Sequence, residues 1–291
     1  MQATNRFRLS GNAFSRPEEG VAVPRSVVFL STEGTKTEPS YFAHLQSLLQ
    51  RNGNFPYVIH VLRHNRDTDS DPRHVFELIE ECKTILNDDL LLPLDGDEIS
   101  ILTLQTRYEE LLNHPEKFTR QETKEVKDAL TKIGIDIDYH RWLRQIGRNN
   151  ESDVFAVVID RDKKSHSRQV LEEIMAACQN RKILFCLSNP CFELWLLLHR
   201  LDVSGLSEEE KEKILDNRSV GEKHTYLSKK ISEIFHVNKR ISSKTMQCKF
   251  FPLTKTALSN ARRLEQTSGN LLDNIGTSVS DLIAKFADWL P

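Results

Sequence analysis

The chain has 291 residues, of which 40 are Lys or Arg and 42 are Asp or Glu, giving a formal net charge of -2. That length suits one large domain, or a core domain carrying an insertion. The balanced charge excludes a protein coated in basic surface, so any contact with nucleic acid must come from local patches.

A polar arm over residues 1–24, rich in Arg, Ser, Asn and Pro, precedes the first predicted element. The β-branched and aromatic run Ser26 to Leu30 predicts a strand, which leads into Glu33-Gly34. Glu38-Pro39 then opens a helix whose apolar positions Tyr41, Phe42, Leu45, Leu48 and Leu49 share one face. Tyr57 to Leu62 alternates as a second strand, and Thr68-Asp69-Ser70-Asp71-Pro72 caps a helix through Val75, Leu78, Ile79 and Cys82. Residues 86–150 break this rhythm. They are charged, hold short apolar runs such as Ile99 to Leu104 and helix-like segments at Lys117 to Ile133 and Tyr139 to Ile146, and read as an inserted helical subdomain. Val154 to Ile159 resumes the core as a strand, Ser167 to Cys178 is a crossover helix, and Lys182 to Leu187 is a further strand. Asn189-Pro190 turns directly into an apolar helix through Leu198, and residues 204–291 have a more polar helical pattern.

The expected fold class is therefore α/β: a mostly parallel sheet flanked by helices, with residues 25–291 forming one domain that carries the insertion and a helical C-terminal region. No segment reaches the ~20 apolar residues of a membrane span, and no charged-then-apolar leader opens the chain. Cys82, Cys178, Cys186, Cys191 and Cys248 form no CxxC pair, which argues for reduced thiols rather than a disulfide or zinc framework. A cytoplasmic protein without membrane contact is expected.

Two of these strands lead into carboxylates, Glu33 after the first and Asp160 after Val154 to Ile159. A buried parallel strand delivers its last side chains to the ligand-binding edge of a sheet. Asp160 and Asp162, one residue apart, face the same way in extended chain. Together they can hold Mg²⁺ or Mn²⁺, which polarises a phosphoryl oxygen and lowers the pKa of a bound water. Glu33 is placed to act as general acid, general base or ligand. Gly34 permits a tight turn there, and Thr35, Lys36, Thr37 and Glu38 lie near a helix N-terminus that favours anions. Arg161, Lys163, Lys164, His166 and Arg168 supply the cations a phosphodiester needs. Simpler roles compete. An Asp pair also caps helix starts, Lys163-Lys164 also forms a solvated turn, and Glu193 is either a capping acid in the first turn of its helix or a further metal ligand. Trp195 and Leu196 to Leu198 are core packing.

A strand followed by Glu33-Gly34, with Asp160-x-Asp162 at a later strand end, resembles the Toprim domain of topoisomerases, primases and overcoming-lysogenization-defect nucleases. More closely, three blocks resemble the RloB-like family: Ser31-Thr32-Glu33-Gly34-Thr35-Lys36-Thr37-Glu38-Pro39-x-Tyr41-Phe42, Val158-Ile159-Asp160-Arg161-Asp162, and Leu187-Ser188-Asn189-Pro190-Cys191-Phe192-Glu193-Leu194-Trp195-Leu196-Leu197-Leu198-His199. Asn260-Ala261 and Ile275-Gly276-Thr277-Ser278-Val279 resemble that family's tail. The resemblance implies a Toprim-like Rossmannoid core. By it, Glu33 matches the Toprim glutamate, Asp160 and Asp162 its paired aspartates, and Glu38 a second acid of the nuclease-type motif, while Asn189 and Glu193 match positions peculiar to the family. It further implies two metals, one near Glu33 and Glu38 and one near Asp160 and Asp162. A place in restriction and abortive-infection systems beside an ATP-binding-cassette type ATPase is implied as well.

The functional expectation is a Mg²⁺- or Mn²⁺-dependent endonuclease effector of anti-phage defence, hydrolysing phosphodiester bonds in DNA or RNA. Glu33, Asp160, Asp162 and Lys164 are the expected catalytic residues. Lys36, Arg161 and Lys163 are expected to hold substrate, and Glu33, Glu38, Asp160, Asp162 and Glu193 to ligate metal. The competing expectation is a non-catalytic Toprim-like subunit that docks on the ATPase as sensor or inhibitor. A nucleotide phosphotransferase is disfavoured by the lack of a GxxxxGK-type loop. An oligomer is compatible with each.

Overall fold

Strands covered on both faces need no polar alternation, which is why the central strands here coincide with unbroken apolar runs. The computed structural model describes residues 26–51, 54–62, 71–87, 90–92, 98–146, 152–163, 165–221, 224–236, 241–268 and 270–291. Strand β1 (Ser26–Thr32), buried at every position, is followed by α1 (Thr37–Arg51), β2 (Tyr57–Val61) and α2 (Pro72–Leu86). Next come α3 (Glu98–Asn113), α4 (Arg120–Lys132) and α5 (Ile137–Ile146), before β3 (Val154–Asp160), α6 (Arg168–Asn180) and β4 (Leu184–Asn189) return to the sheet. Beyond them lie the short α7 (Glu193–Leu197), α8 (Glu208–Asp216), a ribbon of β5 (Ser219–Val220) and β6 (His224–Thr225), and α9 (Tyr226–Phe235). The single turn α10 (Ser243–Thr245), α11 (Thr254–Ser268), the two-residue strand β7 (Gly276–Thr277) and α12 (Val279–Ala284) complete the order.

The main sheet runs β2-β1-β3-β4-β7, parallel except for β7. Its register sets Thr32 beside Val158 and Asp160 beside Ser188. Because β1 has β2 on one side and β3 on the other, the carboxyl ends of β1 and β3 flank the point where strand order reverses, the place where open α/β sheets bind ligands.

Alternation along the strands sorts the core into two layers. Val28, Leu30, Ala156, Val158 and Cys186 pack with α1, α7 and the helices of the C-terminal region, around Tyr41, Phe42, Trp195 and Phe250. Val27, Phe29, Val157, Ile159 and Leu187 face α2 and α6 on the other side, together with Leu143 of α5. A third core belongs to the insertion itself, where Tyr108, Leu111, Val126, Leu130 and Ile137 pack together and the Tyr108 hydroxyl lies 3.0 Å from Nδ1 of His140.

The α/β expectation agrees with this architecture in its parallel core and flanking helices. Some details differ. The apolar run Ile99 to Leu104 lies inside the longer α3, and β1 extends to Thr32 rather than stopping at Leu30. The C-terminal region is not purely helical: it contributes β7 to the main sheet and a separate ribbon. Asp71 caps α2 by accepting the Arg73 N–H at 2.9 Å, whereas Thr68, Asp69 and Ser70 lie outside the described residues, as does the polar arm. All five cysteines are free, and no described helix is long and apolar enough to cross a membrane.

Candidate metal centre

At the carboxyl edge of the sheet β3 ends on Asp160, which shares the strand face of Ala156 and Val158 and so turns toward α1 and α7. Its Oδ1 accepts the Phe192 N–H at 2.8 Å. The chain leaving β4 passes through the cis Asn189-Pro190 peptide and brings Cys191 and Glu193 to the same place. One ligand atom from each of Asp160, Cys191 and Glu193 lies within 4.8 Å of the other two. From the opposite side comes Glu38, in the first turn of α1 and only 5% exposed. Its carboxyl rests over Gly34, where an added Cβ would fall 2.0 Å from Oε2.

Burial raises the Glu38 carboxyl from 4.5 to about 7, reinforced by the charges of Glu193 and Glu33 and opposed by the N–H groups of Glu38 and Gly34. Burial likewise pushes Asp160 well above the usual carboxylate range, helped by Glu38, Glu33 and Glu193 and opposed by the Phe192 N–H. The Cys191 thiol is also pushed up, first by burial and then by Glu193 and Asp160. Among the described residues, no basic side chain pairs with Glu38, Asp160 or Glu193. Acids packed this way repel one another, and a divalent cation bound by their oxygens relieves that repulsion. The donor set and the bare Gly34 cradle fit such an ion. Gly34→Ala is therefore expected to drive the Glu38 carboxyl out of the cluster and weaken metal binding roughly tenfold while leaving the fold intact, as read by calorimetric titration beside a thermal melt.

Glu33 stands behind Asp160 with both oxygens engaged. Oε2 accepts the Asp160 N–H at 2.9 Å, and Oε1 lies 2.9 Å from Nε2 of the nearly buried His166. That hydrogen bond is the largest cause holding the His166 imidazole above its ordinary pKa.

The structure thus gathers Glu33, Glu38, Asp160 and Glu193. It does not bring Asp162 into the converging donors. The strand ends at Asp160, so the extended-chain alternation that would align the two aspartates stops there. Asp162 is exposed and closes a turn, its carbonyl accepting the N–H groups of Ser165 and His166 at 2.9 Å and its Oδ2 the Ser165 hydroxyl at 2.8 Å. Arg161, expected to bind substrate, is instead buried. Its Nε donates to the Leu272 carbonyl at 2.9 Å and its Nη1 to the His166 carbonyl at 2.8 Å, so it staples two loops. Lys163 is exposed and donates to the Asp273 carbonyl at 3.0 Å. Lys36 is exposed just before α1, and Lys164 lies outside the described residues. Asn189 is fully buried and donates to the Leu271 carbonyl at 2.9 Å, a bracing role.

A cleft of about 510 Å³ has a lining that includes Lys163, Lys213, Arg218, Glu209, Glu212 and Asp216. Asn217, next in sequence to two of the lining residues, donates from Nδ2 to the Cys191 sulfur at 3.4 Å. Two contributors escaped the sequence reading: Cys191 as a member of the cluster, and His166 as the partner of Glu33. The one available signal for Cys191 was its place two residues before Glu193 in the turn that opens α7.

No curated protein and no solved structure matches the chain. Comparison with protein families matches residues 28–286 to the RloB-like proteins, a span that includes every acid of the centre and, among the described residues, all seven strands except the first two residues of β1. The chain belongs to the RloB-like family.

Proposed function

We propose that this protein is a metal-dependent nuclease on a Toprim-like scaffold, hydrolysing phosphodiester bonds in DNA or RNA as an effector of anti-phage defence. The supporting observation is the convergence of Glu38, Asp160 and Glu193, with Glu33 behind them, where the strand order reverses. Asp160, Glu193 and Glu38 would hold Mg²⁺ or Mn²⁺, which when bound supplies a Lewis acid for the phosphoryl oxygen and a water of lowered pKa. Glu33 accepts a proton as general base, and His166 fixes its orientation. Lys163, in the lining of the cleft, meets the phosphate backbone. Action beside an ATP-binding-cassette type ATPase belongs to the same proposal and rests on the family likeness.

The balanced lining of the cleft favours a second reading, since Lys163, Lys213 and Arg218 are matched there by Glu209, Glu212 and Asp216. A surface of that kind suits a protein partner as well as a nucleic acid strand. The deciding assay is cleavage of plasmid DNA and total RNA with Mg²⁺ or Mn²⁺, with and without the partner ATPase. Glu33→Gln keeps an oxygen for the Asp160 N–H and is expected to lower cleavage roughly 100-fold or more. Equal cleavage by wild type and this variant would reject the assignment of Glu33, and no cleavage under any condition would favour the docking subunit.

A further inference from the structure

Between Glu233 and Glu265 the chain holds seven Lys or Arg and no Asp or Glu, although 42 of its 291 residues are acidic. Much of that stretch is one irregular helix. The turn α10 runs through a π turn (Met246–Phe250) and a 3₁₀ turn (Phe251–Leu253) into α11, and Met246, Phe251 and Thr254 at the junctions keep right-handed helical dihedrals. Met246, Phe250, Thr254, Ala257, Ala261 and Leu264 are buried at spacings of three and four, so one face stays turned inward from end to end. That face packs with α7 in the core layer toward which Asp160 turns, and Asn260 donates to the Leu198 carbonyl at 2.7 Å. The helix therefore lies on the side of the sheet that carries α1 with Glu38 and α7 with Glu193.

Away from that packing, Lys244, Gln247, Lys255, Thr256, Ser259 and Arg262 are exposed. Two other cations of the stretch are engaged elsewhere: Lys249 donates to the carbonyls of Phe235 and His236 at the end of α9, and Arg263 pairs with Asp202 at 2.9 Å. Among the described residues no acid pairs with Lys244 or Lys255, and Asp281, which feels the charge of Arg262, also feels that of Lys285. Spaced cations with hydroxyl and amide donors between them match a phosphodiester backbone. A protein partner calls for large apolar anchors, and none of the exposed Leu91, Leu102, Met175 and Val220 lies on this helix. At about 1.5 Å per residue the helix is roughly 39 Å long, close to one turn of a duplex.

We propose that the exposed face of this helix is a polynucleotide-binding surface, made of residues other than those lining the cleft, on which Lys244, Lys255 and Arg262 meet phosphates and Gln247, Thr256 and Ser259 donate between them. It rests on the reading of the protein as one that acts on nucleic acid, and deepens it by saying where the polymer lies.

The test uses the full chain in chelator, so that binding is read without cleavage. A fluorescent DNA duplex of about 30 base pairs and a single-stranded RNA of similar length are titrated by anisotropy over a range of salt. The triple variant Lys244→Gln, Lys255→Gln, Arg262→Gln is compared with Lys117→Gln, Lys124→Gln, Lys132→Gln, which removes the same charge from exposed positions of the insertion, and thermal melts confirm that both are folded. The helix variant is expected to bind roughly 30-fold more weakly, with a duplex salt slope smaller by about 2 to 3, while the insertion variant changes by less than about threefold. Equal weakening by the two variants, or a parent protein that binds neither polymer, overturns the surface; in the latter case the face is open to an acidic protein instead. Cleavage by a parent whose binding is indifferent to the helix variant also overturns the surface and leaves the nuclease standing. Helix-dependent binding by a protein that never cleaves upholds the surface and counts against the nuclease.

Discussion

Replacing Asp160 with Asn should abolish metal binding and make the metal-free protein more resistant to heat. Asp160 lies where the fields of Glu38, Glu33 and Glu193 overlap, and its carboxyl is held well above the usual range by burial and by those charges. An amide at this position keeps an oxygen for the Phe192 N–H while removing the charge that the neighbours oppose. The amide relieves the opposition that burial and the neighbouring charges set against a carboxylate here. The melting temperature of the metal-free protein should therefore rise. Cleavage should fall roughly 100-fold or more, because the central ligand is gone. Thermal melts at pH 8 in chelator, paired with Mn²⁺ titration, separate the two effects. A variant that binds no metal yet melts lower than wild type would show that the acids are not in conflict.

The second large effect is a pH dependence with a definite sign. The folded Glu38 carboxyl ionises at about 7, against an ordinary 4.5. Across that window the folded state holds more protons than the unfolded one, so unfolding free energy must fall as pH rises. The contribution is fully present below about 4.5 and is gone above about 7. For Glu38 it amounts to roughly 3 kcal/mol, shared with the acids it faces. Asp160 acts in the same direction, and so does His166, whose raised pKa gives stability that is lost as the imidazole deprotonates. A bound divalent cation reverses the loss, restoring about 2.7 kcal/mol at one hundred times its Kd. Denaturant melts from pH 4.5 to 8, with chelator and with Mn²⁺, should therefore diverge as pH rises. Parallel curves over the whole range would remove the cation from the account of the cluster.

The strands β1, β3 and β4 were legible because each is a continuous apolar run, and α1 because its buried residues recur at helical spacing. Strand β7 was not, since Gly276 and Thr277 carry no apolar pattern and are defined only by their partners Ser188 and Asn189. Glu33 and Asp160 were readable as strand-end acids, and the sheet does bring them together. Asp162 misled because alternation holds only while the chain stays extended. Arg161 looked like a free cation because sequence gives no sign of the carbonyls of His166 and Leu272 that occupy it. Cys191 offered only its place two residues before Glu193, because one sulfur beside carboxylates leaves no spacing pattern as distinct as that of a four-sulfur site.

The loop before β7 and β7 itself have a bearing on when the site can exist at all. Leu271 and Leu272 receive Asn189 and Arg161 across 82 and 111 positions of sequence, and Ser278 donates its N–H to Leu187 at 2.9 Å. Each of these ties fastens β4, or the residue that follows β3, to a segment translated much later. A chain still emerging from the ribosome has its carboxylates long before it has the residues that complete these ties, the last of which is Ser278.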